Sequence, residues 1–378
     1  MMKIGIDASR AFLKQRTGIE EYSYRVIENL RDKLNGHQVF LYVRKKQEID
    51  FELPENWRVK VIKFPRFWTQ LGLSLEMLLH PVDTLLIPAH TVPLIHPKNT
   101  IVIVHGLEYE FCPGAYSWFE RFYMRLTIKK SCQWASKIIS VSENTKKDLI
   151  NLYKVVGEKI SVIYEGYNRN FEFPILNFES NQNNECLKIK TLEIQSKFKI
   201  QNSKFLLFVG RIEERKNIGN IIKAFEILKE KYKIPHKLIL AGKPGHGYEN
   251  IKYQITNSKC CEEIKELGFV GEEEKWELLK KADVFVFPTL YEGFGIPILE
   301  AQSVGCPVVA SNNSSIPEIA QDSAILTNPE KPEEIAESMD RLISNKSLKD
   351  DIIAKGLENV RRFSWEKCAQ EISEVLLK

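Results

Sequence analysis

Residues Phe205–Phe225 read FLLFVGRIEERKNIGNIIKAF. An unbroken apolar run, FLLFV, stops at Gly210, and an amphipathic stretch opens at Asn217. Such a run, without polar alternation, suits a strand buried on both faces of a parallel sheet. Gly210 allows the chain to turn sharply and its backbone to be approached closely. The same strand–turn–helix rhythm recurs on either side. Strands are predicted at Lys3–Asp7, Gln38–Val43, Val59–Ile62, Thr84–Ile87, Ile101–Val104, Lys137–Val141 and Ile160–Tyr164, and then at Phe205–Val209, Lys237–Ala241, Ile264–Phe269, Val284–Phe287, Pro307–Ala310 and Ala324–Thr327. Helices are predicted at Ile19–Leu30, Ser142–Tyr153, Asn217–Tyr232, Glu272–Lys281, Pro332–Ile343 and Trp365–Leu377. This alternation predicts an α/β fold with right-handed crossovers.

The chain has 378 residues, which at roughly 100–200 residues per domain suits two domains. Residues 171–200 begin FEFPILNFESNQNN, polar and without period, and are expected to be a linker and insertion. They separate a predicted domain over 1–170 from one over 201–361, each the size of a Rossmann-like doubly wound core. The last stretch, 362–378, is expected to pack back on the first domain. Hydrophobic content of 43% and charged content of 28% exclude a disordered or fibrous chain. No apolar stretch approaches the 18 or so residues of a membrane-spanning helix. The opening MMKIGIDASR shows no secretory leader. Seven cysteines, an odd number with no C-x-x-C pair, fit reduced thiols in a cytoplasmic protein. The net charge of +4 is weak for a nucleic-acid binder. Residues 1–180 hold 25 Lys and Arg against 20 Asp and Glu, and the remainder 29 against 30. That bias suits anionic lipid or a phosphorylated substrate, and equally a solvated surface.

In doubly wound sheets ligands bind beyond the carboxyl ends of the strands. After Val209, Arg211 and Lys216 straddle a strand-to-helix turn, so both can converge on one anion near a helix N-terminus. Glu213 and Glu214 are expected to turn away. After Phe287 the chain reads PTLYEGFGIPILEAQSVGCPVVAS. Glu292 lies in a glycine-bearing loop, and Glu300 stands eight positions on, one turn into a helix opened by Pro297. Both acids can face one cavity without touching. Gly293 and Gly295 leave backbone N–H groups unshielded. Carboxylates that accept from hydroxyls and N–H groups that donate to them suit a polyol. Alone, each acid reads as well as a turn cap or an exposed helical residue; the joint pattern is more specific.

That pattern resembles the E-x7-E signature of the retaining glycosyltransferases of family 4, which have the GT-B fold: two Rossmann-like domains facing across a cleft. The Gly210-Arg211 turn with Lys216, the AGK at Ala241–Lys243, the GFVG at Gly268–Gly271 and the opening IDAS…TGIEEYSYRVIENL fall in the same order, so the resemblance spans nearly the whole chain. It implies a nucleotide-sugar donor, GDP- or UDP-linked, with mannose from GDP-mannose favoured. It implies a glycan or lipid-linked glycan acceptor in surface polysaccharide synthesis, with no metal or other cofactor; no Asp-x-Asp occurs in the chain. By the same resemblance Arg211 and Lys216 hold the diphosphate and Glu300 the ribose. Glu292 with Gly293, Phe294 and Gly295 holds the sugar, backbone near Phe269 and Val270 meets the base, Gly18 approaches the phosphates, and His105 lies beside donor sugar and acceptor. Domain closure is expected to complete the site.

The chain departs from the family in two places. His105-Gly106-Leu107-Glu108 lacks the Asp that follows the His in many members, which moves the acceptor contact to Glu108 or removes it. Tyr164–Asn168, YEGYN, replaces an Asn-Gly-Val-Asp-like turn. A lone His at a strand end also reads as an ordinary core histidine. RFYMRLTIKK at 121–130 reads as a membrane-facing helix or as an ordinary charged one, and peripheral contact with the inner membrane is expected through it. RFWTQLGLSLEMLL at 66–79 reads as core, Ser142 as a helix cap, and GKPGHG at 242–247 as a mobile loop above the donor. Two other functions fit the fold: a non-catalytic sugar-nucleotide-binding subunit, and a dinucleotide-dependent oxidoreductase. The latter is disfavoured because no G-x-G-x-x-G follows the first strand.

Overall fold

A computed structural model describes residues 1–14, 16, 18–167 and 203–378; the linker expected at 171–200 lies outside the described residues. Met1–Gly166 with Phe363–Lys378 form one compact unit and Tyr167–Arg362 another. The first holds β1 (Lys3–Asp7), β2 (Gln38–Val43), β3 (Trp57–Val61), β4 (Thr84–Ile87), β5 (Asn99–Val104), β6 (Lys137–Ser140) and β7 (Ile160–Val162) in the order β3-β2-β1-β4-β5-β6-β7. The second holds β8 (Phe205–Val209), β9 (Lys237–Ala241), β10 (Ile264–Gly268), β11 (Val284–Phe287), β12 (Val308–Ser311) and β13 (Ile325–Thr327) in the order β10-β9-β8-β11-β12-β13. Every strand pair is parallel. The apolar runs are buried on both faces, Val102–Val104 and Leu206–Phe208 without measurable exposure. Two parallel α/β sheets, one in each unit, agree with the expected α/β class. Pro307 leads into β12 rather than belonging to it, since it has no N–H to donate to a neighbour.

Among the helices, seven matter below: α1 (Ile19–Leu30), α2 (Ser74–Leu79), α3 (Trp118–Trp134), α4 (Ile218–Ile227), α5 (Glu272–Lys281), α6 (Ile296–Ser303) and α7 (Trp365–Leu376). α7 lies on α1 inside the first unit, with Trp365 5.6 Å from the Tyr22 ring and Cys368 Sγ 4.0 Å from its hydroxyl. α3 opens on a capping box between Ser117 and Glu120. Ser142 caps the helix after β6 by accepting from Thr145 N at 3.0 Å. The helix predicted over Asn217–Tyr232 is regular only to Ile227; a π-turn, Leu228–Tyr232, follows and Lys233 ends it at φ 53°.

The stretch 66–79 is core only in part. Trp68, Leu73 and Met77 are buried, whereas Leu71, Leu75, Leu78 and Leu79 face solvent. No helix of the described residues is long and apolar enough to cross a membrane.

Candidate functional site

The second sheet reverses its order between β8 and β11, so the loops leaving these neighbours diverge and open a crevice at their carboxyl ends. Three bonds stitch the loops together: Leu290 N donates to Arg215 O at 3.1 Å, Asn217 Nδ2 to Pro288 O at 2.9 Å, and Arg215 Nη1 to Tyr291 O at 3.1 Å. Across that seam Lys216 Nζ donates to Glu292 Oε1 at 2.6 Å. Arg215 lies between Glu213, at 2.8 Å, and Glu292, at 3.5 Å. Glu213 therefore does not turn away: it is buried as the partner of Arg215, while Glu214 is exposed.

Burial pushes the Lys216 ammonium below its ordinary lysine value; Glu292 opposes that, and Arg215 adds to it. An ammonium left under-compensated in this way gains from an incoming anion. Arg211 sits at the exposed mouth of the same turn and makes no ion pair among the described residues. Of the two predicted cations, one is seated on Glu292 and the other is open.

The β11 loop is held from behind. Glu292 N donates to Ser314 Oγ at 3.1 Å, and Ser315 Oγ reaches the carbonyls of Glu292 at 3.0 Å and Phe294 at 2.8 Å. Phe294 is buried, and the N–H groups of Gly293 and Gly295 have no acceptor among the described residues. Gly295 sits at φ 114°, where a Cβ would come within 2.9 Å of Ile316 Cδ1. Gly295→Ala is therefore expected to lower unfolding stability by about 1–3 kcal/mol, measured by denaturant titration; an unchanged midpoint would contradict this account of the loop.

Glu300, on α6, is not in the Lys216 cluster. It is buried and accepts from Lys275 Nζ of α5 at 2.8 Å. Burial opposes the Lys275 charge, but Glu300 and Glu272 outweigh it and hold the ammonium above its ordinary value. The two lysine–glutamate pairs thus differ in sense: Lys216 is short of negative charge, and Lys275 is satisfied and steadies Glu300. Val270 is buried just past the end of β10, beside exposed Phe269, whose ring carries Lys243 Nζ at 4.5 Å.

The loops after β8, β9 and β10 are zipped together by Gly210 N to Ala241 O at 2.9 Å, Ile212 N to Lys243 O at 2.9 Å and Gly242 N to Gly268 O at 2.7 Å. A Cβ on Gly242 would stand 1.6 Å from Gly210 O, so only glycine fits there. The GKPGHG run, expected to be a mobile loop, is tied to the β8 loop through Gly245 N to Ile212 O at 2.9 Å.

Gly18 and His105 belong to the first unit. Gly18, at φ 40°, precedes α1 and is exposed. His105 follows β5 with both ring nitrogens engaged: Nε2 donates to Pro88 O at 2.8 Å, and Nδ1 is 3.0 Å from Glu165 Oε1. Tyr22 and His90 close on the ring with centroids at 4.5 and 5.2 Å. The carboxylate beside His105 therefore comes from Glu165 of the divergent YEGYN turn. Burial, with His105 and Arg10 nearby, pushes the His90 imidazole well below its ordinary value, and its Nδ1 has no partner.

Sequence reasoning missed Arg215, Lys275, Glu165 and His90. Arg215 stood in plain view between the two chosen cations. Lys275 looked like a solvated neighbour of Glu272, and nothing local marked its reach to Glu300.

Residues 190–359 match the family described as glycosyl transferases group 1, and residues 16–171 match glycosyltransferase family 4. O-antigen chain mannosyltransferase B of Escherichia coli is 28% identical over 277 residues, covering 72% of this chain and 69% of that protein. An uncharacterized glycosyltransferase of Methanocaldococcus jannaschii is 28% identical over 392 residues, covering 94% and 95%. The fold is similar to that of Anabaena HepE in complex with UDP-glucose, with a TM-score of 0.74 at 17% identity over 100% of both chains. With both halves matched in order and the GT-B architecture shared, the chain belongs to the group 1, family 4 glycosyltransferases, a retaining family that uses nucleotide-sugar donors.

Proposed function

We propose that this chain transfers mannose, with retention, from GDP-mannose to a growing surface polysaccharide or its lipid-linked precursor on the cytoplasmic side of the membrane. One observation carries the donor side of this reading. The Lys216 ammonium and Glu292 carboxylate lie side by side where two central loops meet, which offers a cation for a leaving diphosphate next to an acceptor for sugar hydroxyls. The name of the E. coli relative supports the sugar and the class of acceptor.

In the reaction the bond from the anomeric carbon to the phosphate oxygen breaks, and its electron pair leaves on the diphosphate. The acceptor oxygen bonds to the same carbon from the same face, and its proton passes to the departing phosphate oxygen. Arg211 and Lys216 stabilise the charge that develops there, which is the largest available electrostatic effect. Glu292 and the N–H groups around Gly293, Phe294 and Gly295 orient the sugar. Glu300, held by Lys275, accepts from the ribose, and backbone at Val270 meets the base. For the first unit we propose binding of the donor phosphates at the Gly18 turn and a positioning role for His105, whose ring nitrogens are already engaged.

The test is a thermal-shift screen of nucleoside diphosphates and sugar nucleotides, followed by transfer assays with those that bind. A ligand that binds only the folded state raises the midpoint by mass action. The mannose reading predicts a shift and turnover with GDP-mannose; response to UDP-sugars alone would overturn it. Cationic side chains rather than a divalent ion are assigned to the diphosphate, so full turnover is expected in EDTA, and a loss restored by one divalent ion would refute that assignment. Glu300→Gln is expected to weaken nucleoside diphosphate about tenfold, by loss of a charge-assisted bond, while leaving inorganic pyrophosphate unaffected. Equal losses for both ligands would remove Glu300 from the ribose.

A further inference from the structure

The first unit carries a surface that none of the chemistry above uses. On α3, Trp118, Phe119, Phe122, Tyr123 and Leu126 are all exposed, Trp118 at 78% and Phe119 at 67%. At 100° per residue these five occupy one outward face, with Lys129 and Lys130 on the same face at its last turn. The opposite side supplies Ile128 and Cys132 to the core. Trp118 and Phe122 stack at 5.8 Å and 11°, so part of the apolar face is already ordered.

The loop 92–96 joins this face to a second one. Val92 N donates to Ser131 Oγ of α3 at 2.9 Å, and Ile95 N to Ser74 Oγ of α2 at 3.2 Å. That loop exposes Leu94 and Ile95, and beside it Leu71, Leu75, Leu78 and Leu79 repeat at helical spacing, also exposed. Exposed apolar residues thus stand on three elements that these bonds hold together, α2, the loop 92–96 and α3. Lys63 and Arg66 precede the leucine helix, and they, Lys129 and Lys130 are exposed without an ion pair among the described residues. The one acid of α3, Glu120, is exposed at the first turn to the side of this face, where its carboxylate is taken up by the Ser117 cap.

We propose that this face docks on an anionic lipid surface. Aromatic rings with an apolar body and a polar edge settle at the headgroup level, and lysines extend from an apolar patch toward phosphates. A helix with aromatics and cations on its outward face lies in the plane of the interface. The uncompensated positive charge sets lipid apart from a second copy of the same face, which would bring four like charges against four. The inference gives the membrane side of the proposed function a specific surface, yet the binding it predicts does not depend on which sugar or base the second unit takes.

The experiment is flotation of the full chain with vesicles of phosphatidylcholine alone or mixed equally with phosphatidylglycerol. The wild type is expected to float with the anionic vesicles and to lose binding as salt rises. Lys129→Gln with Lys130→Gln, both exposed and without a folding role, is expected to weaken that partitioning by about 25-fold, near fivefold per lysine. Trp118→Ser with Phe122→Ser is expected to abolish it, while the GDP-mannose thermal shift stays unchanged in both variants. Absence of flotation by the wild type, equal binding to neutral vesicles, or a dimer in sedimentation that the Trp118/Phe122 variant dissociates would each overturn the proposal. A failed sugar-nucleotide screen with intact flotation would sink the donor reading alone.

Discussion

Lys216→Ala is expected to lower kcat/KM by about 10²–10³-fold, the usual loss when one donor to a developing oxyanion is removed, while unfolding stability moves by less than about 2 kcal/mol. The two effects separate because of what surrounds the side chain. Removing one partner of a buried ion pair is damaging when the other is stranded. Here Arg215 stays 3.5 Å from Glu292, and the lost ammonium was itself disfavoured by burial. Steady-state kinetics beside urea unfolding gives both numbers. A stability loss matching the kinetic loss would make Lys216 a structural residue.

The same lysine predicts a pH signature. Its folded pKa lies below the ordinary 10.4 or so of lysine because of burial, and a bound diphosphate raises it. Between the free and bound values, binding takes up a proton, so affinity for nucleoside diphosphate falls up to tenfold per pH unit as pH rises through that window. Lys216→Arg keeps its charge to above pH 12 and should flatten the curve, although its fork fits the site differently. Calorimetric titrations of the two proteins at several alkaline pH values make the comparison, and identical profiles would dismiss it.

How much of this could be read from the residues depended on distance along the chain. The central strands of both sheets were legible because runs such as FLLFV and VFVF have no polar alternation, which suits a doubly covered parallel sheet, whereas the edge strand β3, WRVKV, alternates and is largely exposed. Strand ends shifted by a residue or two where Pro307 and Gly268 act as punctuation. The site loops were legible as motifs, but the bond between Lys216 and Glu292 was not, since nothing local says that positions 76 apart will meet. The adjacency of β8 and β11 brings them together, and that is a property of topology. The stretch 66–79 misled for the opposite reason: leucines at helical spacing look identical whether they face the core or solvent, so Leu71, Leu75, Leu78 and Leu79 were assigned inward. His105 was placed correctly at a strand end, but its partners, Pro88 and Glu165, come from other strand ends that spacing could not connect.

Glu292→Gln separates the donor-site reading from a structural one by sign. If Glu292 serves the sugar, its loss costs transfer about 10²–10³-fold, comparable to Lys216→Ala. Yet Glu292 is also a negative charge beside the place assigned to a diphosphate. Glutamine removes that repulsion and leaves only a neutral amide oxygen to accept from Lys216 where the carboxylate lay at 2.6 Å, so more of the ammonium's charge is available to the ligand. At an effective dielectric near 20, a unit charge about 6–8 Å away contributes on the order of 2 kcal/mol, and part of this is offset because Lys216 loses the carboxylate that supports its charge. Binding of nucleoside diphosphate at pH 7 should therefore tighten, by about tenfold, in the variant that has almost lost turnover. Lys216→Ala should weaken the same ligand. A purely structural Lys216–Glu292 pair would give losses of the same sign in both variants, because either substitution would loosen the same seam between the β8 and β11 loops. Opposite shifts in calorimetric affinity are the result that this geometry requires.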